Sequence, residues 1–339
     1  MAVPALRELR RIFSDAHITL LARPWVAGLF DGEGLADDLI PVEDSKGLLQ
    51  SAKRFLGLTR ELRRRRFDLA VLLQNAFGAA LLARAGGVRK IAGYPTDSRR
   101  ALLDYAIPLQ ADSRTAHQVF YYLNIASVVE HQLIGESRVD FDRSHPELVV
   151  TPDAKKRARG LLEQAGPEFS GTTASRILAI NPGATNSRAK RWLAERFAAA
   201  ADRLAEQDGF RTIIVGAAGD TEAANETARL MRSPACVLAG KTTIAELKAV
   251  LACATLVLSN DTGTAHVSAA LGVPTVVVFG PTEHIATRPY SDIATVVRHD
   301  VECSPCMLRD CPIDHRCMTR VEVDDVYRAA KDLLVAAVR

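Results

Sequence analysis

Three short loops hold most of the residues that could do chemistry. Ser259-Asn260-Asp261-Thr262-Gly263-Thr264-Ala265-His266 closes an apolar run and enters a helical pattern. In open α/β sheets, ligands bind beyond the carboxyl ends of the strands. A helix starting there offers backbone amides and the positive end of its dipole to a diphosphate. The amides near Thr262, Gly263 and Thr264 are placed for this, and Gly263 admits close backbone approach. Taken alone, the loop leaves two other readings open, Asp261 as a helix cap and His266 as a packed core histidine.

Asn181-Pro182-Gly183-Ala184-Thr185-Asn186-Ser187-Arg188-Ala189-Lys190-Arg191-Trp192 repeats the arrangement and adds two cations at the expected helix entrance. Cations are disfavoured at a helix N-terminus, so a nearby anion accounts for Lys190 and Arg191. A departing β-phosphate suits, because its growing negative charge is what a Lys stabilises; the alternative is a surface turn with incidental basic residues. Gly216-Ala217-Ala218-Gly219-Asp220-Thr221-Glu222 sets acids where ribose hydroxyls could be held, or where a helix simply starts. Three such loops in one half of the chain together describe a nucleotide-diphosphate pocket.

The late cysteines, Cys303, Cys306, Cys311 and Cys317, lie near His299 and His315 and could make a zinc site. Their irregular spacing fits reduced thiols packing a loop better, so no metal is expected. Charge is unevenly spread. Residues 53–100 hold twelve Lys or Arg against Glu61, Asp68 and Asp97, an excess of +9, whereas residues 1–52 carry −3. Such an excess suits an anionic partner, although Arg63 to Arg66 alone read as a solvated helix face. With no interleaved aromatics and no reading motif, nucleic acid is not the expected partner.

These loops need a scaffold of strands and helices, and the pattern supplies one. Strands are predicted at His17–Ala22, Phe67–Leu73, Arg89–Gly93, Arg176–Asn181, Phe210–Val215, Thr255–Ser259 and Pro274–Phe279. Helices are predicted at Pro4–Phe13, Lys46–Arg66, Ala76–Ala85, Arg114–His131, Asp153–Gln164, Trp192–Gln207, Asp220–Met231, Thr243–Leu251, Thr264–Leu271 and Val323–Val338. Alternation of this kind reads as parallel α/β sheets, and 339 residues suit two domains. No apolar run approaches the ~20 residues that span a bilayer. The N-terminus, MAVPALRELRR, has no secretory pattern, so the expected compartment is the cytoplasm.

The segments NPGATNSRAKRW, VGAAGDTEAANE, LAGKTT and LSNDTGTAHVSAALGVPTVVVFGPT resemble glycosyltransferase family 9, the lipopolysaccharide heptosyltransferases. QNAFGAALLARAGGVRKIAGY and HQVFYYLNI resemble its heptosyltransferase II branch. The resemblance implies a GT-B fold, with two Rossmann-like doubly wound domains facing a cleft. It divides the chain into an acceptor-side domain (1–150), a passage (151–172), a nucleotide-sugar domain (173–320) and a closing helix (321–339). It implies inverting transfer from ADP-heptose to the anionic inner core of lipopolysaccharide, without a cofactor or catalytic metal. The chain is then expected to make peripheral contact with the cytoplasmic face of the inner membrane.

By motif, the resemblance assigns Lys190 to the donor phosphates, with Thr185 and Asn186 nearby. Asp261 holds the heptose hydroxyls, while Thr262, Gly263, Thr264 and His266 line the diphosphate and sugar. Glu222 takes the ribose, with Asp220 as competitor, and the backbone at Lys241 lies by the adenine. Asn75, Arg99 and Arg100 fall on the acceptor side. The family opens with an apolar strand and a Gly-Asp loop whose Asp serves as general base. Met1-Ala2-Val3-Pro4-Ala5-Leu6 resembles the residues immediately after that loop, so the strand and base are expected upstream of Met1. A catalytically silent sugar-nucleotide-binding homologue, or a member with another donor or acceptor, remains the alternative.

Overall fold

The computed structural model describes residues 1–44, 47–109, 116–166, 169, 176–185 and 187–337. The chain forms two compact units, Met1–Pro24 with Leu35–Ser144, and Trp25–Gly34 with His145–Arg339. The sequence pattern holds no sign that Trp25–Gly34 belongs with the second unit.

The first unit runs α1 (Val3–Ile12), β1 (Thr19–Ala22), β2 (Asp38–Pro41), α2 (Leu48–Arg65), β3 (Leu69–Leu72), α3 (Phe77–Ala85), β4 (Lys90–Gly93), β5 (Tyr105–Ala106) and α4 (Gln118–Ile134). Val3, Leu6 and Leu9 recur at helical spacing and are buried, so α1 presents one apolar stripe and packs on α4. Arg11 reaches from α1 to the buried Glu130 of α4 at 2.8 Å. The strands form two parallel sheets rather than one, β1–β2 and β3–β4–β5. Among the described residues β1 pairs with β2 alone, and every residue of β1 and β3 keeps some exposure. The short β2 and β5 carry no strand-length apolar run, and the pattern does not predict them.

The second unit contributes α5 (Pro152–Ala165), β6 (Ile177–Asn181), α6 (Ala194–Asp208), β7 (Arg211–Ile214), α7 (Thr221–Leu230), β8 (Ala235–Val237), α8 (Ile244–Leu251) and β9 (Leu256–Asn260). It continues with α9 (Gly263–Ala270), β10 (Thr275–Val278), α10 (His284–Thr287), β11 (Ala294–Val297), α11 (Arg316–Thr319) and α12 (Val323–Ala336). Its six strands are all parallel, in the order β11-β10-β9-β6-β7-β8. The chain builds outward from β6 to β8, then returns past β6 to lay down β9 to β11. β6 and β9 are neighbours, with Leu178 opposite Leu256 and Asn181 opposite Ser259. The order reverses between these two strands, where a doubly wound sheet opens a crevice beyond its strand ends. Both strands are buried throughout, as their unbroken apolar runs require of a sheet covered on two faces.

Two contacts explain the borders of this unit. Lys248 on α8 is almost wholly buried and donates to Leu29 O and Asp31 O, each at 2.9 Å, and to Glu33 Oε1 at 3.3 Å. Glu33 also accepts from Val149 N at 2.7 Å, so the turn at residues 25–34 is fastened to α8 by one ammonium group. At the other end, Trp192 is buried against Phe197, and its indole donates to Val321 O at 3.0 Å, just before α12.

Candidate functional site

Both strands at the reversal end in asparagine, and these two side chains build the site. Asn181 Nδ2 donates to Thr262 Oγ1 at 3.1 Å and Thr264 Oγ1 at 2.8 Å, while its Oδ1 accepts from Gly183 N at 3.2 Å. Asn260 reciprocates from β9. Its Nδ2 donates to Pro182 O at 2.9 Å, and its Oδ1 accepts from Trp192 N at 2.9 Å. Both are buried, so these bonds satisfy groups that would otherwise be costly to bury. The clasp fixes the loop after β6 against the loop after β9. Neither asparagine stands out in the sequence as a site residue, although the signal exists: each is a polar residue closing a buried apolar strand.

Asp261 lies in the crevice and is buried. Its Oδ2 accepts from Lys190 Nζ at 2.7 Å and from Thr282 Oγ1 at 2.8 Å. Thr282 enters from the segment after β10 and is a further site residue that the sequence pattern does not single out. Lys190 does not stand at a helix entrance, contrary to expectation. It ends a 3-10 turn, Arg188–Lys190, and α6 starts four residues later at Ala194 with Glu195 in its first turn. The charge that offsets Lys190 in the structure is Asp261. The ion pair is half-open, with the Lys side chain 27% exposed and the Asp side chain 7%.

α9 begins directly behind this pair. Thr262 and Thr264 turn their hydroxyls toward Asn181, which leaves the first-turn amides as their contribution to the crevice. Gly263 is exposed, and a Cβ built on it would meet nothing within 4 Å. His266 is partly buried one turn along α9.

The third loop meets the first through Asp220. This residue is buried and accepts from Thr185 Oγ1 at 3.2 Å and Ala217 N at 3.1 Å. A Cβ at Gly183 would stand 2.2 Å from the Asp220 carboxyl carbon, so only glycine fits between these loops. Asp220 is thereby occupied in holding loops together, which removes it as competitor for a ribose. Glu222, exposed in the first turn of α7, is the acid that faces solvent. Lys241 is exposed in the turn after β8, its Nζ folded back onto Val237 O at 2.8 Å. Gly240 N donates to Gly216 O at 3.0 Å and draws that turn toward the loop after β7. Asn186 lies outside the described residues.

On the first unit, the three expected acceptor residues separate. Arg99 is fully buried and donates to Tyr94 O at 2.8 Å, to Gln74 O, to Ala76 O at 3.3 Å and to Asn75 Oδ1 at 3.3 Å. An arginine spent on backbone carbonyls holds the loops after β3 and β4 together, and it is not available to a ligand as expected. Asn75 is exposed and also accepts from Tyr121 OH at 2.8 Å, while Arg100 is exposed. Within the basic segment, Arg64 and Arg65 pair with Glu61, Arg84 with Asp104, and Arg89 with Asp68.

The cysteines share one loop. Burial, and then the neighbouring Cys303, Cys311 and Cys306, push the Cys317 thiol up to about 11. Among the described residues no group of three or more His, Cys, Asp or Glu could hold a metal ion. The loop braces the site. Arg309 O accepts from Ala189 N at 2.9 Å, and His315 Nε2 lies 2.7 Å from Ala189 O, beside Lys190. Met307 N donates to Pro281 O at 2.8 Å, beside Thr282.

Residues 55–316 match the model of glycosyltransferase family 9 (heptosyltransferase). The chain is 34% identical to lipooligosaccharide heptosyltransferase 2 of Campylobacter jejuni serotype O:6, over 98% of this chain and 94% of that protein. Its structure is similar to that of E. coli ADP-heptose lps heptosyltransferase II, with a TM-score of 0.81, 24% identity, and coverage of 100% of this chain and 95% of that one. It is also similar to E. coli heptosyltransferase WaaC with ADP, with a TM-score of 0.70, 17% identity, and coverage of 98% and 95%.

Proposed function

This chain belongs to glycosyltransferase family 9, and from that premise we propose that it moves L-glycero-D-manno-heptose from ADP-heptose onto a heptose of the lipopolysaccharide inner core, at the inner-membrane surface, as heptosyltransferase II does. The observation that carries the reading is the Lys190–Asp261 pair set beside the first turn of α9 at the sheet's reversal point. The amides of Gly263, Thr264 and Ala265 take the diphosphate, with room in front of Gly263 for it. Glu222 takes the ribose hydroxyls and the turn at Lys241 borders the adenine. The bonds from Lys190 and Thr282 both end on Oδ2 of Asp261, and Oδ1 is the oxygen offered to a heptose hydroxyl.

Attack by an acceptor hydroxyl on the anomeric carbon breaks that carbon's bond to the β-phosphate oxygen, and the hydroxyl proton passes to water. Negative charge grows on the departing ADP, where Lys190 and the dipole of α9 stabilise it. The bond between Lys190 and Asp261 holds both side chains in place before the donor arrives, so little reorganisation is needed at the transition state. Arg100 and Asn75 serve the acceptor, and Arg99 positions Asn75 from beneath.

The test is mass spectrometry after incubation with ADP-heptose and either Kdo-lipid A or its monoheptosyl form. Gain of one heptose by the monoheptosyl acceptor supports the reading. Gain by Kdo-lipid A alone assigns another acceptor. Donor binding with no transfer to either makes the chain a silent sugar-nucleotide-binding protein.

A further inference from the structure

α2 has two apolar faces, and only one of them meets the core. Leu62 is buried with Ile40 and Leu82, and Phe55 and Leu58 pack against them. At about 100° per residue these positions fall on one side of the helix. The opposite side carries Leu49, Lys53, Leu56 and Arg60, which succeed one another at spacings of three and four residues. On this strip Leu49 is 82% exposed and Leu56 52%, and Leu48, about 100° around the helix from Leu49 in its first turn, is 90% exposed. No carboxylate interrupts this strip. Glu61 is the acid of α2, and it is taken up by Arg64 and Arg65. Lys53 and Arg60 are exposed and form no ion pair among the described residues.

From this strip we infer that α2 docks onto an anionic lipid surface, its leucines entering the acyl boundary and its basic side chains meeting phosphates. Leucines standing among lysine and arginine, on a helix lying along the surface, are what an interfacial helix needs. Long basic side chains extend to the headgroups while their stems cover apolar surface. A second copy of the chain fits this strip poorly, because two identical basic strips repel. Three leucines also fall short of the roughly 800 Å² per partner that a stable interface buries. The inference deepens the membrane-surface part of the proposed function by assigning the surface, and its test is independent of heptose transfer.

The test is cosedimentation of the full chain with vesicles of phosphatidylcholine, with and without phosphatidylglycerol. Binding to the anionic vesicles, weakened by salt, is expected. The variant Leu48→Ser/Leu49→Ser/Leu56→Ser should partition at least ~10-fold more weakly, since each leucine removed takes several buried methylenes from the boundary. Lys53→Glu/Arg60→Glu should lose the preference for anionic vesicles. Both variants should melt and bind ADP as the parent does, because these side chains are exposed and lie outside the apolar clusters of the first unit. Equal binding by parent and leucine variant, or no vesicle binding by the parent, overturns the inference. So does a concentration-dependent dimer, seen by light scattering, that the same leucine variant abolishes. Because the readout is lipid binding, a protein that transfers no heptose can still pass, and an active one can still fail.

Discussion

Replacing Gly263 with alanine separates ligand binding from folding. Gly263 is the first residue of α9, and its added Cβ meets no atom within 4 Å. The folded state therefore gains no clash. The unfolded state loses conformational freedom, so stability should hold or rise by about 0.4–1 kcal/mol. Ligand binding is another matter, because on the proposed placement the diphosphate approaches the Gly263 amide across the space the methyl group takes. Losing one or two charge-assisted hydrogen bonds, at about 1.5–3 kcal/mol each, should weaken ADP binding by roughly 10-fold to 100-fold or more. Titration calorimetry with ADP gives the affinity, and thermal melting without ligand gives the stability. A Gly263→Ala protein that binds ADP as tightly as the parent would refute the placement of the diphosphate at α9. A fall in melting temperature would refute the claim that the space is open.

Three more outcomes are expected from the geometry. Lys190→Ala and Asp261→Ala should each lower heptose transfer by at least ~100-fold, as loss of one electrostatic contact at the transition state does; near-normal turnover by both would remove this pair from the site. Arg99→Ala should destabilise the first unit by about 2–4 kcal/mol, because it strands several buried carbonyls, whereas Arg100→Ala should melt normally and raise the acceptor KM. The reverse pattern in denaturation and kinetics would overturn the separation of these neighbours. Lys248→Met should cost about 3–5 kcal/mol by removing the buried ammonium that Leu29 O, Asp31 O and Glu33 share, and adding Glu33→Gln should restore part of that loss. An unchanged urea midpoint for Lys248→Met would show that the pair does not fasten residues 25–34.

Much of the second unit was legible because the information is local. ILAIN and LVLSN read as buried strands from composition alone. All three Gly-containing loops lie at strand ends as that pattern predicts, although the loop after β9 enters its helix directly and the loop after β6 reaches its helix only at Ala194. β2 and β5 were not legible, although β1 and β3 are also short, because no unbroken apolar run of strand length surrounds them, and β8 and β11 were not predicted either. The two separate sheets of the first unit were likewise invisible, because pairing joins segments distant in sequence.

The sequence by itself determined the family resemblance, the α/β alternation and the three strand-end loops, all of which rest on residue order and short-range turn chemistry. Tertiary structure decided what each charged residue does. Lys190 and Asp261, Gly183 and Asp220, and Glu33 and Lys248 are far apart in the chain and meet only through the fold. Arg99 and Arg100 are adjacent and of one type, yet one is buried on carbonyls and the other exposed. A charge takes its role from its partner and its desolvation, and both depend on which distant segments the packed sheet brings beside it.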